Sequence, residues 1–138
     1  MVKTNAISIE PKIENENVLL DFISSELSSL GYSEHWEFLV AAEEVFSNTV
    51  FYANIPIHNF INCLISYDAE KKQASLKFED YGKPFNPLTR PVPELNLSIK
   101  ERKIGGLGIH IVKDLMDDVE YEYDNVRQMN MLTLLKKL

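Results

Sequence analysis

The chain has 138 residues, 14 basic and 21 acidic side chains for a net charge of −7, and one cysteine, Cys63. A chain this long can bury about 70% of its unfolded surface in one core, so a single domain over 1–138 is expected without help from metals or disulfides. One cysteine excludes an internal disulfide and any multi-cysteine metal framework. The acidic balance argues against nucleic acid and anionic membranes as partners. With neither a signal-peptide core nor a run of about 18 apolar residues, a cytoplasmic location is expected.

Residues 4–10 alternate through Ala6, Ile7, Ser8 and Ile9 and end at Pro11, which predicts a short first strand. From Glu14 to about Leu30, the residues Val18, Leu19, Phe22, Ile23, Leu27 and Leu30 recur at helical spacing, with Gly31 placed to cap the end. A second helix is predicted from Ser33, as N-cap, to about Asn54, before Pro56; Glu34 and Glu37 lie near its positive end. His58 to Tyr67 and Ala74 to Asp80 alternate as strands around the polar turn Asp68 to Lys72, an antiparallel hairpin. The stretch from Tyr81 to about Lys103 is punctuated by Gly82, Pro84, Pro87, Pro91 and Pro93, and long irregular stretches inside small domains are more often functional than idle. Gly105-Gly106-Leu107-Gly108 then opens a third helix through Ile109, Ile111, Val112, Leu115 and Met116. Two strands, Val119 to Tyr123 and about Gln128 to Leu135, close the chain. The order β-α-α-β-β-loop-α-β-β predicts an α+β two-layer sandwich, a mostly antiparallel sheet covered on one face by helices.

Three places carry possible chemistry. In the second helix, Glu44 and Asn48 lie about 40° apart on one face, whereas Glu43 is about 140° from Asn48. A carboxylate can take a proton and an amide oxygen can ligate a hard cation, although a solvated glutamate and a tolerated asparagine would look the same. In Asp80-Tyr81-Gly82-Lys83-Pro84-Phe85-Asn86-Pro87, an aspartate ends an apolar strand and a glycine two residues on lets backbone pack close, which ordinary turn chemistry also explains. The glycine turn at 105–108 lets backbone approach a phosphate at a helix N-terminus. It is not a Walker A loop, because no Lys-Ser/Thr pair follows, and the strand that a dinucleotide motif requires is missing before it. His35, His58 and His110 form no metal-binding constellation; His110 is expected at the surface of the third helix or packed there, and Cys63 as a buried structural thiol.

In sequence order, Glu44-x-x-x-Asn48, Asp80-x-Gly82-x-x-Phe85 and Gly105-Gly106-Leu107-Gly108 resemble the N box, G1 box and G2 box of the GHKL ATPases, the Bergerat-fold superfamily of gyrase, MutL and histidine kinases. Within it, the stretch from Gly106 to Tyr121 and the closing Asn130 to Lys137 are most similar to anti-sigma-factor serine/threonine kinases of the SpoIIAB and RsbW type.

That resemblance implies ATP and Mg²⁺ as cofactors. It implies that Asn48 ligates Mg²⁺ and contacts ATP, and that Glu44 is the general base. Asp80 would accept from the adenine amino group, Gly82 would leave room for the ring, and Phe85 would complete the ATP contacts of that motif. Gly105, Gly106, Leu107 and Gly108 would hold phosphates, and residues about 88–104 would form an ATP lid. The basic residues Lys100, Arg102 and Lys103 would reach phosphate or stay solvated. The implied function is phosphorylation of a STAS-domain anti-anti-sigma protein combined with binding of a sigma factor, in a homodimer. The alternative is a non-catalytic module that binds ATP and switches partners. Two departures limit the transfer. Tyr52 stands where relatives often carry histidine, and no glycine precedes the last strand, so no contact is carried over for Gln128-Met129-Asn130 or Thr133.

Overall fold

A computed structural model of the chain describes residues 2–32, 35–53, 55–56, 59–89 and 106–138. Among these, β1 (Val2–Ile9) leads through a 3-10 turn (Ile13–Asn15) into α1 (Glu16–Ser29) and α2 (Trp36–Tyr52). The hairpin β2 (Ile61–Asp68) and β3 (Gln73–Asp80) follows, then a 3-10 turn (Pro87–Thr89), α3 (Gly106–Leu115) and the hairpin β4 (Asp118–Asp124) and β5 (Met129–Lys137). The strands form one sheet in the order β1-β2-β3-β5-β4, every neighbouring pair antiparallel. This is the α+β sandwich that the pattern of elements predicts.

Strand alternation decides which face is covered. Ile61, Cys63 and Ile65 of β2, Ala74, Leu76 and Phe78 of β3, and Leu132 and Leu134 of β5 are buried, while the residues between them are mostly only half-buried. Leu19, Ile23 and Leu27 of α1, Phe38, Ala42, Val45 and Phe46 of α2, and Ile109 and Val112 of α3 fill the same core. α2 lies between α1 and α3 and packs on both, which is why so much of its circumference is apolar.

Local chemistry explains the element ends. Gly31 takes φ +86°, its N–H bonds Ser28 O at 2.9 Å and the Tyr32 N–H bonds Leu27 O at 2.8 Å. This paired closure satisfies the last carbonyls of α1 and favours glycine because φ is positive. The two hairpins share one device. Asp68 Oδ1 accepts from the N–H groups of Glu70 and Lys71, and Asp124 Oδ1 accepts from those of Val126 and Arg127. Lys72 and Gln128, the last residue of each turn, have positive φ. An aspartate that organises the turn thus lets a non-glycine residue close it.

Some predicted boundaries move. β1 starts at Val2 and stops before Glu10, and β5 runs on to Lys137. α2 begins at Trp36, later than expected, with His35 in the capping position and no side-chain cap bond. Ser33, Glu34, Asn54 and His58 lie outside the described residues, and β2 begins at Ile61. Cys63 is fully buried, and burial pushes its thiol up to about 12, which leaves it an unreactive core residue.

Candidate functional site

The site is built where the second half of α2, the end of β3 and the first turn of α3 converge. Helical geometry separates the adjacent glutamates as expected: Glu43 is exposed, whereas Glu44 is half-buried. One turn on, Asn48 is buried to 5% exposure, an unusual place for an amide on a helix. It has no side-chain hydrogen bond among the described residues, and it lines a cavity with Val45, Thr49, Asp80, Phe85 and Ile109. Thr49 satisfies its own hydroxyl on Val45 O at 2.8 Å, so it makes no claim on the asparagine.

Glu44 points to α3. A Cβ on Gly108 would stand 2.1 Å from Glu44 Oε2 and 3.0 Å from its Cδ. The missing side chain of Gly108 is therefore the space that the Glu44 carboxylate occupies. Burial and then the charge of Glu43 raise the Glu44 pKa above the ordinary carboxylate value. Glu16 at the start of α1 is raised too, by burial and then by Glu43 and Glu44. The proton affinity of this corner is therefore higher than that of a free glutamate, the direction that a proton acceptor at neutral pH requires.

Asp80 ends β3 with 7% exposure, and its carboxylate is tied down on one oxygen. Oδ1 accepts from the Gly82 N–H at 2.9 Å and from Asn130 Nδ2 at 3.0 Å; Oδ2 has no donor among the described residues. Burial raises its pKa, while the hydrogen bonds from Asn130 and Gly82 pull the other way. A carboxylate held by one oxygen with the other free at a cavity wall is a directional acceptor for a ligand N–H.

Gly82 also has a packing task at the end of α2. A Cβ there would meet Ala53 O at 2.1 Å, and the next residue donates from Lys83 N to Ala53 O at 3.0 Å. On the side where a Cβ would stand, the room is thus taken by the backbone at the end of α2. Gly82→Ala should destabilise the fold by about 1–3 kcal/mol, because a backbone carbonyl cannot rotate aside as a side chain can. Thermal denaturation checks it; an unchanged midpoint would contradict the contact.

Two residues that sequence reasoning did not select complete the site. Asn130, 4% exposed, donates through Nδ2 to Asp80 Oδ1, to Lys83 O at 2.9 Å and to Gly82 O at 3.3 Å. Its Oδ1 accepts from the Phe85 N–H at 3.0 Å and from the Tyr121 hydroxyl at 2.5 Å. The signal was present in the alternation of the closing strands: Asn130 pairs with Asp80, and Tyr121 with Leu132, on the covered face. A polar residue at a core-facing strand position needs partners, and here the partners are the loop. Thr133 pairs with Lys77 and Glu120 and belongs to the opposite face of the sheet.

The remaining expected residues fall as follows. Phe85 lines the cavity and stacks on Tyr52. Gly106, Leu107 and Gly108 are the first residues of α3, so the glycines lie within its first turn and not ahead of it. Gly105, the basic run 100–103 and nearly all of the proposed lid, about 88–104, lie outside the described residues; Leu88 and Thr89 belong to the 3-10 turn. His110 is half-buried, its Nε2 buried without a hydrogen-bond partner among the described residues. Among the described residues no cluster of histidine, cysteine and carboxylates could hold a metal, and no helix is long and apolar enough to cross a membrane.

A five-stranded antiparallel sheet backed by helices, with an asparagine, an aspartate and a helix start converging on one cavity, has the architecture of a GHKL-type ATP-binding domain. The comparison with protein families agrees: the chain belongs to the family described as the histidine kinase-like ATPase domain, whose model matches residues 9–136. No curated protein matches the chain. The family makes this an ATP-using, kinase-like domain.

Proposed function

We propose that the domain binds Mg-ATP in the cavity between α2, β3 and α3 and transfers the terminal phosphoryl group to a serine or threonine of a partner protein. The observation that carries the nucleotide site is a pair of largely buried polar side chains that line one cavity. The Asn48 amide and Asp80 Oδ2 line one cavity without a donor of their own among the described residues. Open acceptor capacity on two convergent polar side chains in a cavity is the pattern of a ligand site, and a ligand with matching donors would complete it.

The donor set fits that ligand. Asp80 Oδ2 accepts from an exocyclic amino group, and the Asn48 amide oxygen is a ligand suited to a hard cation. The first turn of α3, with Gly106 and Gly108, offers free N–H groups and the positive end of a helix to phosphate oxygens. When bound with ATP, Mg²⁺ neutralises charge on the transferring group. Glu44 accepts the proton of the attacking hydroxyl, and its raised proton affinity suits that role. Gly105 and a lid over about 88–104 belong to the same proposal, as does the single-domain organisation of 1–138.

The nature of the partner rests on resemblance. The stretch from Gly106 to Tyr121 and the final strand are similar to those of anti-sigma-factor kinases, which supports a STAS-domain antagonist as substrate, a sigma factor as second partner, and a cytoplasmic homodimer. The competing proposal, a module that binds ATP and exchanges partners without turnover, keeps the same cavity and dispenses with Glu44 as a base.

One experiment addresses the nucleotide site. ATP should raise the thermal midpoint of wild type more with Mg²⁺ than without, and Asn48→Ala should abolish the magnesium-dependent part. A tenfold weaker Kd corresponds to about 1.4 kcal/mol less binding energy, and a loss of ten- to a hundredfold is expected for Mg-ATP. Equal stabilisation of wild type and Asn48→Ala would remove the asparagine from the site. Transfer of labelled phosphate from ATP to a STAS-domain protein tests the kinase reading; binding without transfer favours the module.

A further inference from the structure

We infer that Phe85 is a gate on the nucleotide cavity, held shut by the Tyr121–Asn130 pair and by its stack on Tyr52, so that apparent ATP affinity is set by how often Phe85 leaves its seat. The inference rests on the adenine assignment proposed above and adds a regulated entry step to it.

Size comes first. The cavity that Asn48 and Asp80 line has a volume of about 20 Å³, room for about one water molecule. A purine ring does not enter while Phe85 and Pro87 form part of its wall. Both belong to one short segment, 85–89, which Asn86 folds on itself: its side chain accepts from Leu88 N at 2.9 Å, and its carbonyl accepts from the Thr89 hydroxyl at 2.9 Å. The segment therefore moves as a unit.

Anchors from four different elements hold that unit. The Phe85 N–H is shared between Asn130 Oδ1 of β5, at 3.0 Å, and the Tyr121 hydroxyl of β4, at 3.3 Å. The Phe85 ring stacks on Tyr52 of α2, with centroids 6.4 Å apart and 24° between planes. Lys113 of α3 donates to Leu88 O at 3.3 Å. Asn130 connects this closure to ligand recognition, because its amide also holds Asp80 Oδ1. The acceptor is thus kept in register while the wall beside it moves.

The thermodynamic consequence has a sign that ordinary damage does not share. If only the open form admits ATP, the observed Kd is the intrinsic Kd divided by the open fraction. Weakening an anchor of the closed form raises that fraction and tightens binding. Truncating a residue that touches the nucleotide loosens binding, and so does a general loss of structure.

The test is calorimetric titration of wild type, Tyr121→Phe and Tyr52→Leu with Mg-ATP, with association rates from stopped flow. One neutral hydrogen bond removed from the closed form changes the opening equilibrium by about two- to tenfold. Kd should therefore fall by about two- to tenfold in Tyr121→Phe, with a faster association rate and a slightly lower thermal midpoint. Tyr52→Leu should change in the same direction. The gate is overturned if wild type binds ATP and both variants bind it equally or more weakly. If no protein titrates, the nucleotide assignment itself has failed and the gate falls with it, an outcome plainly different from weaker binding by the variants. Tighter binding cannot arise from misfolding, so a gain of affinity is direct support.

Discussion

Glu44→Gln is expected to lower the rate of phosphoryl transfer by about 10²–10⁴-fold, the usual worth of a positioned general base, while ATP binding stays near the wild-type level. The amide is nearly the shape of the carboxylate, so the space beside Gly108 remains filled and the α2–α3 contact survives. What is lost is the acceptor for the hydroxyl proton. The same variant should be more stable than wild type at neutral pH. Burial and Glu43 raise the Glu44 pKa above 4.5, so from about 4.5 up to the raised value the folded state binds more protons than the unfolded one. Stability from this group is complete below that window and is lost as pH rises through it. Glutamine removes the loss, and thermal midpoints measured across pH 4 to 8 should fall less with rising pH in the variant. A functional carboxylate that costs stability is a common trade at active sites. Gly108→Ala offers an independent route to the same lesion: its Cβ would displace the Glu44 carboxylate, so turnover should fall although Glu44 is chemically intact. Unchanged transfer in Glu44→Gln would sink the assignment of the base and leave the domain as a binding module.

The contrast between Glu44 and Asn130 shows what was legible beforehand. Glu44 and Asn48 sit on one helix, where a 100° step per residue fixes their relation without knowledge of any other element. Asp80 was legible because it ends a cleanly alternating strand and precedes a glycine. The order of strands in the sheet was not legible, since nothing local says that β5 inserts between β3 and β4. Asn130 acquires its meaning only from that insertion, which sets it opposite Asp80. The roles of the glycines were hidden for the same reason. Gly82 answers to Ala53 and Gly108 to Glu44, contacts between residues far apart in sequence. The α2 start was misplaced because Ser33 satisfied a local capping rule while the helix begins at Trp36 without a side-chain cap. Its stability comes from tertiary packing of Phe38, Ala41, Ala42, Val45 and Phe46, which outweighs a missing cap worth about 1 kcal/mol.

Asn130→Leu should therefore be the most destabilising single change at the site, by about 3–5 kcal/mol, although leucine is apolar and close in size to asparagine. The substitution removes donors to Asp80 Oδ1, Gly82 O and Lys83 O and the acceptor for Phe85 N and the Tyr121 hydroxyl. Leaving buried polar groups unpaired costs about 1–3 kcal/mol each, and partial rescue by solvent at the exposed Lys83 keeps the sum below the total of the separate losses. The variant also carries a signature in pH. Burial raises the Asp80 pKa above 3.8, and Asn130 restrains that rise. Without Asn130 the carboxylate holds its proton to higher pH, so the span over which folding stability declines with rising pH extends upward. ATP affinity should fall with it on the acid side, because a protonated Asp80 is a poorer acceptor. Chemical denaturation at pH 5 and pH 8, with ATP titrations at both, separates the two effects. A variant that unfolds like wild type, or that weakens ATP equally at both pH values, would show that Asp80 keeps its orientation and ionisation without Asn130.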